Sequence, residues 1–357
     1  MKYLFIVQGE GRGHMTQAIS MSQILRESGH EICRVLVGKS ERRKIPQFFI
    51  DKIEADIELL ESPNFITDKN QKSVKPVKTI IHAVLGSKKY VRSINRIDEI
   101  VKQHQPDVIV NFYDFLGGIY NFLKRPSAKY VCLAHQFLMG HPEFDFPPKR
   151  QLDKKSLEIA NKIVSLGADK ILALSFQPFK DVESKNLFVV PPLLRQEIGK
   201  LNITKGQHLL VYMLNPGYAV EVDEFHQKYP DIPLHCFWDK KDAPTELKID
   251  NHLTYHQLND EAFIRMMASS RGYVTTAGFE SVCEAMYLGK PVLMVPVRGH
   301  YEQACNAIDA KKAGAGIYSD SFDIEKLIEY LPDHKDISNS FRTWADTAPE
   351  VFLKMLK

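Results

Sequence analysis

The sequence has few of the features that mark a disulfide scaffold, a zinc knuckle or a membrane span. Its five cysteines lie far apart, at positions 33, 132, 236, 283 and 305, and form no CxxC pair. An odd, scattered set of this kind favours a reducing, cytoplasmic compartment. No apolar run reaches the roughly 20 residues that span a bilayer, and the run after Lys2 is too short for a signal peptide.

Strong net charge is also missing. The chain has 47 Lys and Arg against 44 Asp and Glu, a net of +3 over 357 residues. A general nucleic-acid binder would be basic overall, so we expect no nucleic-acid partner. The balance nevertheless hides an asymmetry, because residues 1–195 carry +9 and residues 196–357 carry −6. These opposite signs, in a chain longer than one core usually supports, predict two domains.

The sequence does contain a repeated alternation of short apolar runs and helical patterns. Predicted strands lie at 3–8, 31–38, 107–112, 129–134, 170–174, 187–190, 208–214, 232–237, 252–255, 272–276, 291–296 and 315–318. Predicted helices lie at 15–28, 115–124, 219–228, 259–269, 279–288, 301–313 and 322–331. This alternation is typical of parallel sheets with helices on both faces. Pro349 should kink or split a final helical segment at 338–356.

A glycine loop follows the first predicted strand and runs from Gly9 through Gly11 and Gly13 to His14. Glycines allow a sharp turn, and the helix that follows offers free N–H groups at its start. A dinucleotide fingerprint would need GxGxxG, and His14 takes the place of its third glycine. A histidine at a helix N-terminus should have a lowered pKa and accept a proton near neutral pH, so His14 is a candidate base.

A second loop enters a helix after the predicted strand at 272–276. The helix N-terminus after Gly278 should bind an anion such as a diphosphate, with hydroxyl donors on Thr276 and Ser281. Glu280 and Glu284 are four residues apart on one helical face. Glu284 lies further from the helix start, and its carboxylate suits the paired hydroxyls of a ribose.

Taken together, these residues resemble the GT-B nucleotide-sugar glycosyltransferases, above all the N-acetylglucosaminyltransferase of peptidoglycan synthesis and related UDP-glycosyltransferases. The resemblance rests on the first glycine loop, on the run from Gly278 to Glu284 followed by Gly289-Lys290-Pro291, and on Glu302-Gln303 followed by Asn306. It implies an α/β GT-B fold with two Rossmann-like doubly wound domains facing across a cleft. Residues 1–195 would bind the acceptor and residues 196–335 the nucleotide sugar. Residues 336–357 would form a helix that crosses back to the first domain.

The resemblance also implies roles for individual residues. On the donor side, it assigns the ribose to Glu284 and the diphosphate to Thr276, Gly278, Phe279 and Ser281. The sugar would contact Glu302 and Gln303, and the nucleotide base would contact Gln257 and Leu258. A further loop on the phosphate side would contain Asn215 and Gly217. On the acceptor side it points to Gly11, Gly13, His135 and Gln136, with His14 as the base and Asp114 as an acid that orients it.

The implied reaction is transfer of a hexosyl group from a nucleotide diphosphate sugar, expected to be UDP-linked, to a hydroxyl of a glycan or a lipid-linked acceptor. The resemblance implies that transfer proceeds with inversion and that helix N-termini, rather than a metal, stabilise the departing UDP. No DxD motif is present that would suggest a metal-bridged diphosphate. We expect no separate cofactor. A UDP-sugar 2-epimerase of the same fold and a non-catalytic nucleotide-sugar-binding protein stay open. An NADP oxidoreductase, with Lys39, Arg42 and Arg43 at a 2′-phosphate, is a weaker alternative.

A basic segment accounts for most of the first domain's charge. Residues 69–102 hold nine Lys and Arg against Asp98 and Glu99. Such a segment could contact an anionic membrane at its inner face, or it could be a solvated helix and loop.

Overall fold

The computed structural model describes residues 1–39, 44–63, 77–213, 216–240 and 242–357. In the first half, the described strands are β1 (Lys2–Gln8), β2 (Glu31–Lys39), β3 (Ile57–Glu61), β4 (Val108–Phe112), β5 (Lys129–Ala134), β6 (Lys170–Leu174) and β7 (Leu187–Val190). The helices between them are α1 (Arg12–Glu27), α2 (Gln47–Ile53), α3 (Val77–Leu85), α4 (Lys88–His104), α5 (Phe115–Lys124) and α6 (Gln151–Val164).

The second half repeats the alternation. Its described strands are β8 (Leu209–Met213), β9 (Leu234–Trp238), β10 (Glu246–Lys248), β11 (Leu253–Gln257), β12 (Gly272–Thr275), β13 (Val292–Met294) and β14 (Gly316–Tyr318). Its helices are α7 (Ala219–Lys228), α8 (Asp260–Ser269), α9 (Phe279–Tyr287), α10 (Tyr301–Lys312), α11 (Ile324–Tyr330), α12 (Ser338–Ala345) and α13 (Ala348–Met355). All twelve predicted strands are confirmed within two residues at each end, whereas α2, β3, α3, α4, α6 and β10 were not predicted.

The chain forms two compact units. The first consists of residues 1–144, 148–195 and 346–357, and the second of residues 145–147 and 196–345. The predicted terminal segment, 336–357, is therefore divided between the two units. α12 stays with the second unit, where Arg342 donates to the carbonyl of Tyr287 at 2.8 Å.

Helix α13 belongs to the first unit and packs against α1 and β7. The Lys170 ammonium donates to the carbonyl of Met355 at 2.6 Å, and Lys129 donates to the carbonyl of Lys357. Lysines at this end of a helix satisfy its last carbonyl groups. Pro349 lies in the first turn of α13, so the predicted break separates two helices at a position where proline is tolerated.

Each unit is built on one seven-stranded sheet in the described residues. The strand order is β3-β2-β1-β4-β5-β6-β7 in the first and β10-β11-β9-β8-β12-β13-β14 in the second. All described pairs in the named sheets are parallel except that of β10 with β11. In both sheets the order reverses beside the first strand, β1 or β8. Ligands of such sheets bind at that point, outside the carboxyl ends of the strands.

Apolar side chains on both faces of these strands form the core of each unit. β4 is buried along its whole length, and so is β12. This explains why continuous apolar runs predicted the strands so well. In the described part of the chain, no helix is long and apolar enough to cross a membrane.

Candidate functional site

The glycine loop after β1 starts helix α1 at the edge where the parallel strands end. The Gly9 N–H donates to the carbonyl of Gly38 at 2.7 Å, and a Cβ on Gly9 would lie 2.9 Å from a methyl group of Val37. Glycine is therefore required at this close approach. Gly11 caps α1 without a side-chain hydrogen bond, and Gly13 follows in the first turn. Both predicted acceptor-side glycines thus lie at a helix start that has no capping side chain.

His14 lies in the first turn of α1 and is buried. Its Nδ1 is 3.3 Å from the amide oxygen of Gln17, and its Nε2 is 3.3 Å from the amide nitrogen of Gln136. Its ring stacks on Tyr113, with 5.5 Å between centroids and 15° between planes. Burial lowers the pKa of His14 to about 4, while the bond to Gln17 opposes that shift. The imidazole is therefore neutral at pH 7, and burial, rather than the predicted helix N-terminus, is the main cause.

Asp114, predicted as the acid that orients His14, makes its contacts in the turn before α5. Its carboxylate caps α5 by accepting from the Leu116 N–H at 2.8 Å, and it accepts from the Ser62 hydroxyl at 3.0 Å. It lies so close to Gly38 that a Cβ there would be 2.0 Å from a carboxylate oxygen. Burial raises the pKa of Asp114 to about 6. These contacts hold the carboxylate in the turn before α5, and both His14 nitrogens lie beside glutamine amides instead.

His135 and Gln136 follow β5 at the same sheet edge, and both are buried. The Nδ1 of His135 lies 2.8 Å from the Leu174 carbonyl, so it carries the proton and donates. The ring lies edge-on to Phe176, and burial lowers the His135 pKa to about 4. His135 thus fastens β5 to β6, while the side chain of Gln136 extends to His14.

In the second unit, the turn between β12 and α9 presents an open helix start. Gly278 caps α9 with no side-chain hydrogen bond. Its φ is −71°, and a Cβ there would meet only the Ser281 hydroxyl, at 3.7 Å. Neither backbone strain nor close packing therefore requires glycine here. The helix therefore starts without a capping side chain on Gly278, as an anion site at a helix N-terminus needs.

The residue before that cap has an unusual backbone. Ala277 is buried and has a φ of 59°, in the left-handed region that favours glycine. The amide of Asn306 donates to the carbonyl of Ala277 at 3.1 Å. Asn306 was predicted to accompany a sugar-binding pair, but in the structure it holds the turn before α9.

The other predicted diphosphate and ribose residues surround this turn. Thr276 is buried, and Ser281 donates its hydroxyl to the carbonyl of Gly278 at 3.3 Å. Phe279, the first residue of α9, is buried. Glu284 lies deeper along α9 and is only 1% exposed, whereas Glu280 is half-buried.

The predicted sugar-binding pair starts helix α10. Glu302 is half-buried in the first turn of that helix. Gln303 is buried, and its amide oxygen accepts from the Val297 N–H at 2.8 Å. Gln303 thereby fixes the loop before α10, and its NH₂ group is the part of the amide that could donate to a sugar hydroxyl.

The predicted base-binding residues lie at the end of β11. The amide of Gln257 donates to the carbonyls of Lys240 and Ala243, at 2.6 and 3.1 Å, and Leu258 is half-buried beside it. Gly217 lies in a short 3₁₀ turn before α7. Asn215 lies outside the described residues.

Several residues of the site were not found from the sequence. Gln17 was within reach of sequence reasoning, because it lies three positions after His14 on one helix face. Tyr113 and Ala277 carry no comparable signal, because their placement depends on backbone conformation. Asn161 also carries none, because its amide contacts the Tyr113 hydroxyl and the Gln136 carbonyl, which are distant in the sequence.

The chain matches the family model described as Glycosyl transferase family 1 over residues 1–333. It is 21% identical over 337 residues to an uncharacterized glycosyltransferase of Methanosarcina acetivorans, covering 88% of this chain and 85% of the relative. It is also 23% identical over 334 residues to a Fusobacterium nucleatum transferase, covering 85% and 82%. The printed name of that relative is UDP-N-acetylglucosamine–N-acetylmuramyl-(pentapeptide) pyrophosphoryl-undecaprenol N-acetylglucosamine transferase.

Solved structures are similar over nearly the whole chain. A kitacinnamycin glycotransferase has a TM-score of 0.63 at 15% identity and covers 100% of this chain and 99% of its own. A UDP-glucosyltransferase from Polygonum tinctorium has a TM-score of 0.64 at 13% identity, with 99% and 98% covered. At such low identities these likenesses show the fold, the α/β fold of GT-B glycosyltransferases.

The family model spans far more than half of the chain and includes both glycine turns and the predicted donor residues. The chain belongs to glycosyl transferase family 1 and is a glycosyltransferase.

Proposed function

We propose that this enzyme transfers a hexosyl group from a UDP-linked sugar to a hydroxyl acceptor, with inversion and without a metal. The observation that carries the proposal is the start of α9, where an uncapped helix N-terminus follows a strand at the reversal point of the sheet. An uncapped N-terminus supplies backbone N–H donors and positive potential to a diphosphate. The same dipoles would stabilise the UDP leaving group, so a metal is not needed for that role.

Backbone dipoles matter here because side-chain charge does not favour an anion. Residues 196–357 carry a net −6, and Glu280 lies in the first turn of α9. Selectivity for a nucleotide would come from Glu284, whose carboxylate can accept from both ribose hydroxyls. The names of two relatives, which specify UDP-N-acetylglucosamine and a UDP-glucosyl donor, support a UDP-sugar.

The chemical step assigns the base role to His14. As the acceptor oxygen bonds to the anomeric carbon, its proton passes to the neutral imidazole, and the bond from that carbon to the diphosphate breaks. The electron pair leaves with UDP. One displacement of this kind inverts the anomeric carbon. A pKa of about 4 keeps His14 unprotonated and ready to accept a proton at every pH above about 5.

Replacement of Glu284 tests the donor site. Glu284→Gln should raise the Kd for UDP by roughly tenfold or more, because one buried charge-assisted hydrogen-bond acceptor is lost. Glu280→Gln is the matched control on the same helix face, and it should leave the Kd unchanged or lower it. Isothermal calorimetry measures both. An unchanged affinity in Glu284→Gln would refute the ribose assignment.

Replacement of His14 tests the base role separately. His14→Ala should abolish transfer while UDP binding survives. Equal loss of transfer and of binding would contradict the base role.

Incubation of the wild type with UDP-N-acetylglucosamine and no acceptor adds a further check, because interconversion of sugars would identify an epimerase instead.

The acceptor is proposed to be a glycan or a lipid-linked hydroxyl compound, since the Fusobacterium relative is named for an undecaprenol-linked acceptor. Contact with an anionic membrane is part of this proposal. Three cations of the basic segment form ion pairs, which reduces the charge that they can offer to a membrane. Arg96 pairs with Glu58 and Glu99, Lys102 with Asp98, and Lys89 with Glu61. Lys78, Lys88 and Arg92 are exposed, while Lys69, Lys72 and Lys75 lie outside the described residues.

Apolar side chains lie beside these cations. Leu85, Phe122 and Leu123 are 42%, 46% and 39% exposed, and Leu85 and Leu123 line a groove of about 250 Å³. We expect flotation with anionic vesicles at low salt, lost on addition of salt. Lys88→Glu with Arg92→Glu should weaken it, with Lys354→Glu as the control on α13. No flotation at low salt would remove the membrane from the proposal.

A further inference from the structure

His14 and three other residues of the first unit form a closed ring of contacts. Tyr113 stacks on the His14 ring and donates its hydroxyl to the Asn161 amide oxygen at 2.5 Å. The NH₂ group of Asn161 donates to the main-chain carbonyl of Gln136 at 2.8 Å. The amide of Gln136 then returns to His14, 3.3 Å from Nε2. The members come from α1, the turn after β4, α6 and the segment after β5, so only the tertiary structure joins them.

The backbone of Tyr113 shows that this arrangement is actively held. Its φ is 64°, an unfavourable value for a bulky aromatic residue. The turn is fixed on its far side by Asn111, whose amide oxygen accepts from the Asp114 N–H at 2.9 Å and whose NH₂ group donates to the Asp114 carbonyl at 2.8 Å. Phe137 lies edge-on to the Tyr113 ring, 5.4 Å between centroids. The strained backbone thus places a buried ring parallel to the imidazole.

The partners of His14 also define its tautomer. An amide oxygen faces Nδ1, so that nitrogen carries the proton and donates to Gln17. An amide NH₂ group faces Nε2, so that nitrogen keeps its lone pair and accepts from Gln136. The arrangement therefore directs a basic lone pair toward the Gln136 side of the ring.

We infer that Tyr113 and Asn161 are positioning residues that fix the ring plane of His14 and, through Gln136, its Nδ1–H tautomer. The inference rests on the proposed base role of His14. An acceptor hydroxyl would replace the Gln136 amide at Nε2 and give its proton to that nitrogen as the acceptor oxygen bonds to the sugar. Because the Gln136 contact is long, at 3.3 Å, its replacement loses little.

The test uses the full chain with ¹⁵N-labelled histidine. Long-range ¹H–¹⁵N spectra, with His14 assigned by His14→Ala, should show one Nδ1–H tautomer in the wild type. Tyr113→Phe keeps the ring and removes only the hydroxyl, and it should give a mixture of tautomers. Its kcat should fall roughly tenfold, the equivalent of one hydrogen bond, with KM for the nucleotide sugar unchanged within about twofold. Asn161→Ala, on the half-buried face of α6, should act in the same way.

Tyr120→Phe is the matched control. It also removes a hydroxyl from a fully buried tyrosine of the first unit. The His14 spectrum and kcat should both stay at their wild-type values. An unchanged His14 tautomer in both Tyr113→Phe and Asn161→Ala would overturn the inference. It would also be overturned if kcat and thermal stability both fell while the His14 spectrum stayed unchanged. If the wild type turns over no nucleotide sugar, the proposed function fails, while the spectra still decide the positioning role.

Discussion

Two strand–turn–helix segments occupy the same place in the two sheets. β4 leads into α5 and β12 leads into α9, each immediately beside the first strand of its unit. Each turn has a non-glycine residue with positive φ just before the helix cap, Tyr113 at 64° and Ala277 at 59°. The two turns therefore have a similar backbone conformation at this position, although their side chains differ.

The difference lies in the caps. Asp114 fills the helix start of α5 with its own carboxylate, whereas Gly278 leaves the start of α9 without a side-chain cap. A carboxylate at a helix N-terminus satisfies the N–H groups and the dipole that would otherwise attract a ligand anion. Of these two turns, only the one before α9 therefore has a helix start without a carboxylate cap, which agrees with the donor site proposed there.

The largest expected effect comes from giving the second turn the cap of the first. Gly278→Asp should raise the Kd for UDP on the order of 10³-fold, because a fixed carboxylate would accept from the N–H groups that bind the diphosphate and would repel the diphosphate. Stability should not fall, since aspartate is a good cap and the φ of −71° suits it. Gly278→Ala is the control, with a Cβ in ordinary contact and no charge. Calorimetry that found equal losses in both variants would contradict the cap argument.

A smaller effect is expected at Tyr113, the residue with positive φ before α5. Tyr113→Gly should destabilise the chain by about 3 kcal/mol, because loss of a buried ring outweighs relief of backbone strain. Urea denaturation measures the change in the free energy of unfolding. A stabilised variant would show that the ring contributes little at this position.

A smaller effect concerns the pH dependence of the Asp114 cap. Its folded pKa of about 6 lies above the ordinary value of 3.8, so the folded state holds a proton that the unfolded state releases between these pH values. This extra proton contributes to the free energy of unfolding. The contribution is complete below pH 3.8 and is lost as pH rises through 6. Relative to Asp114→Asn, the wild type should lose on the order of 2 kcal/mol between pH 4.5 and 7.5. Parallel denaturation curves for both proteins at the two pH values check this, and a constant difference would contradict it.

The smallest expected effect is at Ala277. Ala277→Gly relieves the positive φ but removes a buried methyl group and adds unfolded-state entropy, so stability should stay within about 0.5 kcal/mol of the wild type. Chemical denaturation should therefore give similar midpoints. A loss above about 1.5 kcal/mol would mean that the Ala277 methyl, rather than the backbone, holds the turn.

The sequence predicted the central strands because each is a continuous apolar run between turn residues, as β4 and β12 show. It missed β10, three partly exposed residues at an antiparallel edge. It did not give bounds for α4, which lies mostly within the basic segment, and it missed α6. A hydrophobic pattern in the sequence identifies strands that are buried on both faces more readily than strands and helices that are half-exposed.

The candidate site divides in a similar way. His14, Gly278, Glu284 and Gln136 could be found from the sequence, because glycine turns, helix starts and strand ends are local features. Their roles in the proposed reaction stay predictions. The contacts of Asp114, Asn306 and Gln303 could not be foreseen, since each holds a turn or loop through hydrogen bonds rather than through a sequence pattern.

By itself, the sequence determined that two α/β units each carry a glycine turn at the carboxyl edge of a parallel sheet, because apolar runs and glycines act locally. Only the tertiary structure decided that Asp114 caps one helix start and that α9 has no side-chain cap. It also decided that Tyr113 and Gln136 contact His14 while Asn161 joins the two. The physical reason is that a hydrogen-bond partner or a stacked ring is chosen by distance in space, which residue spacing along the chain does not encode.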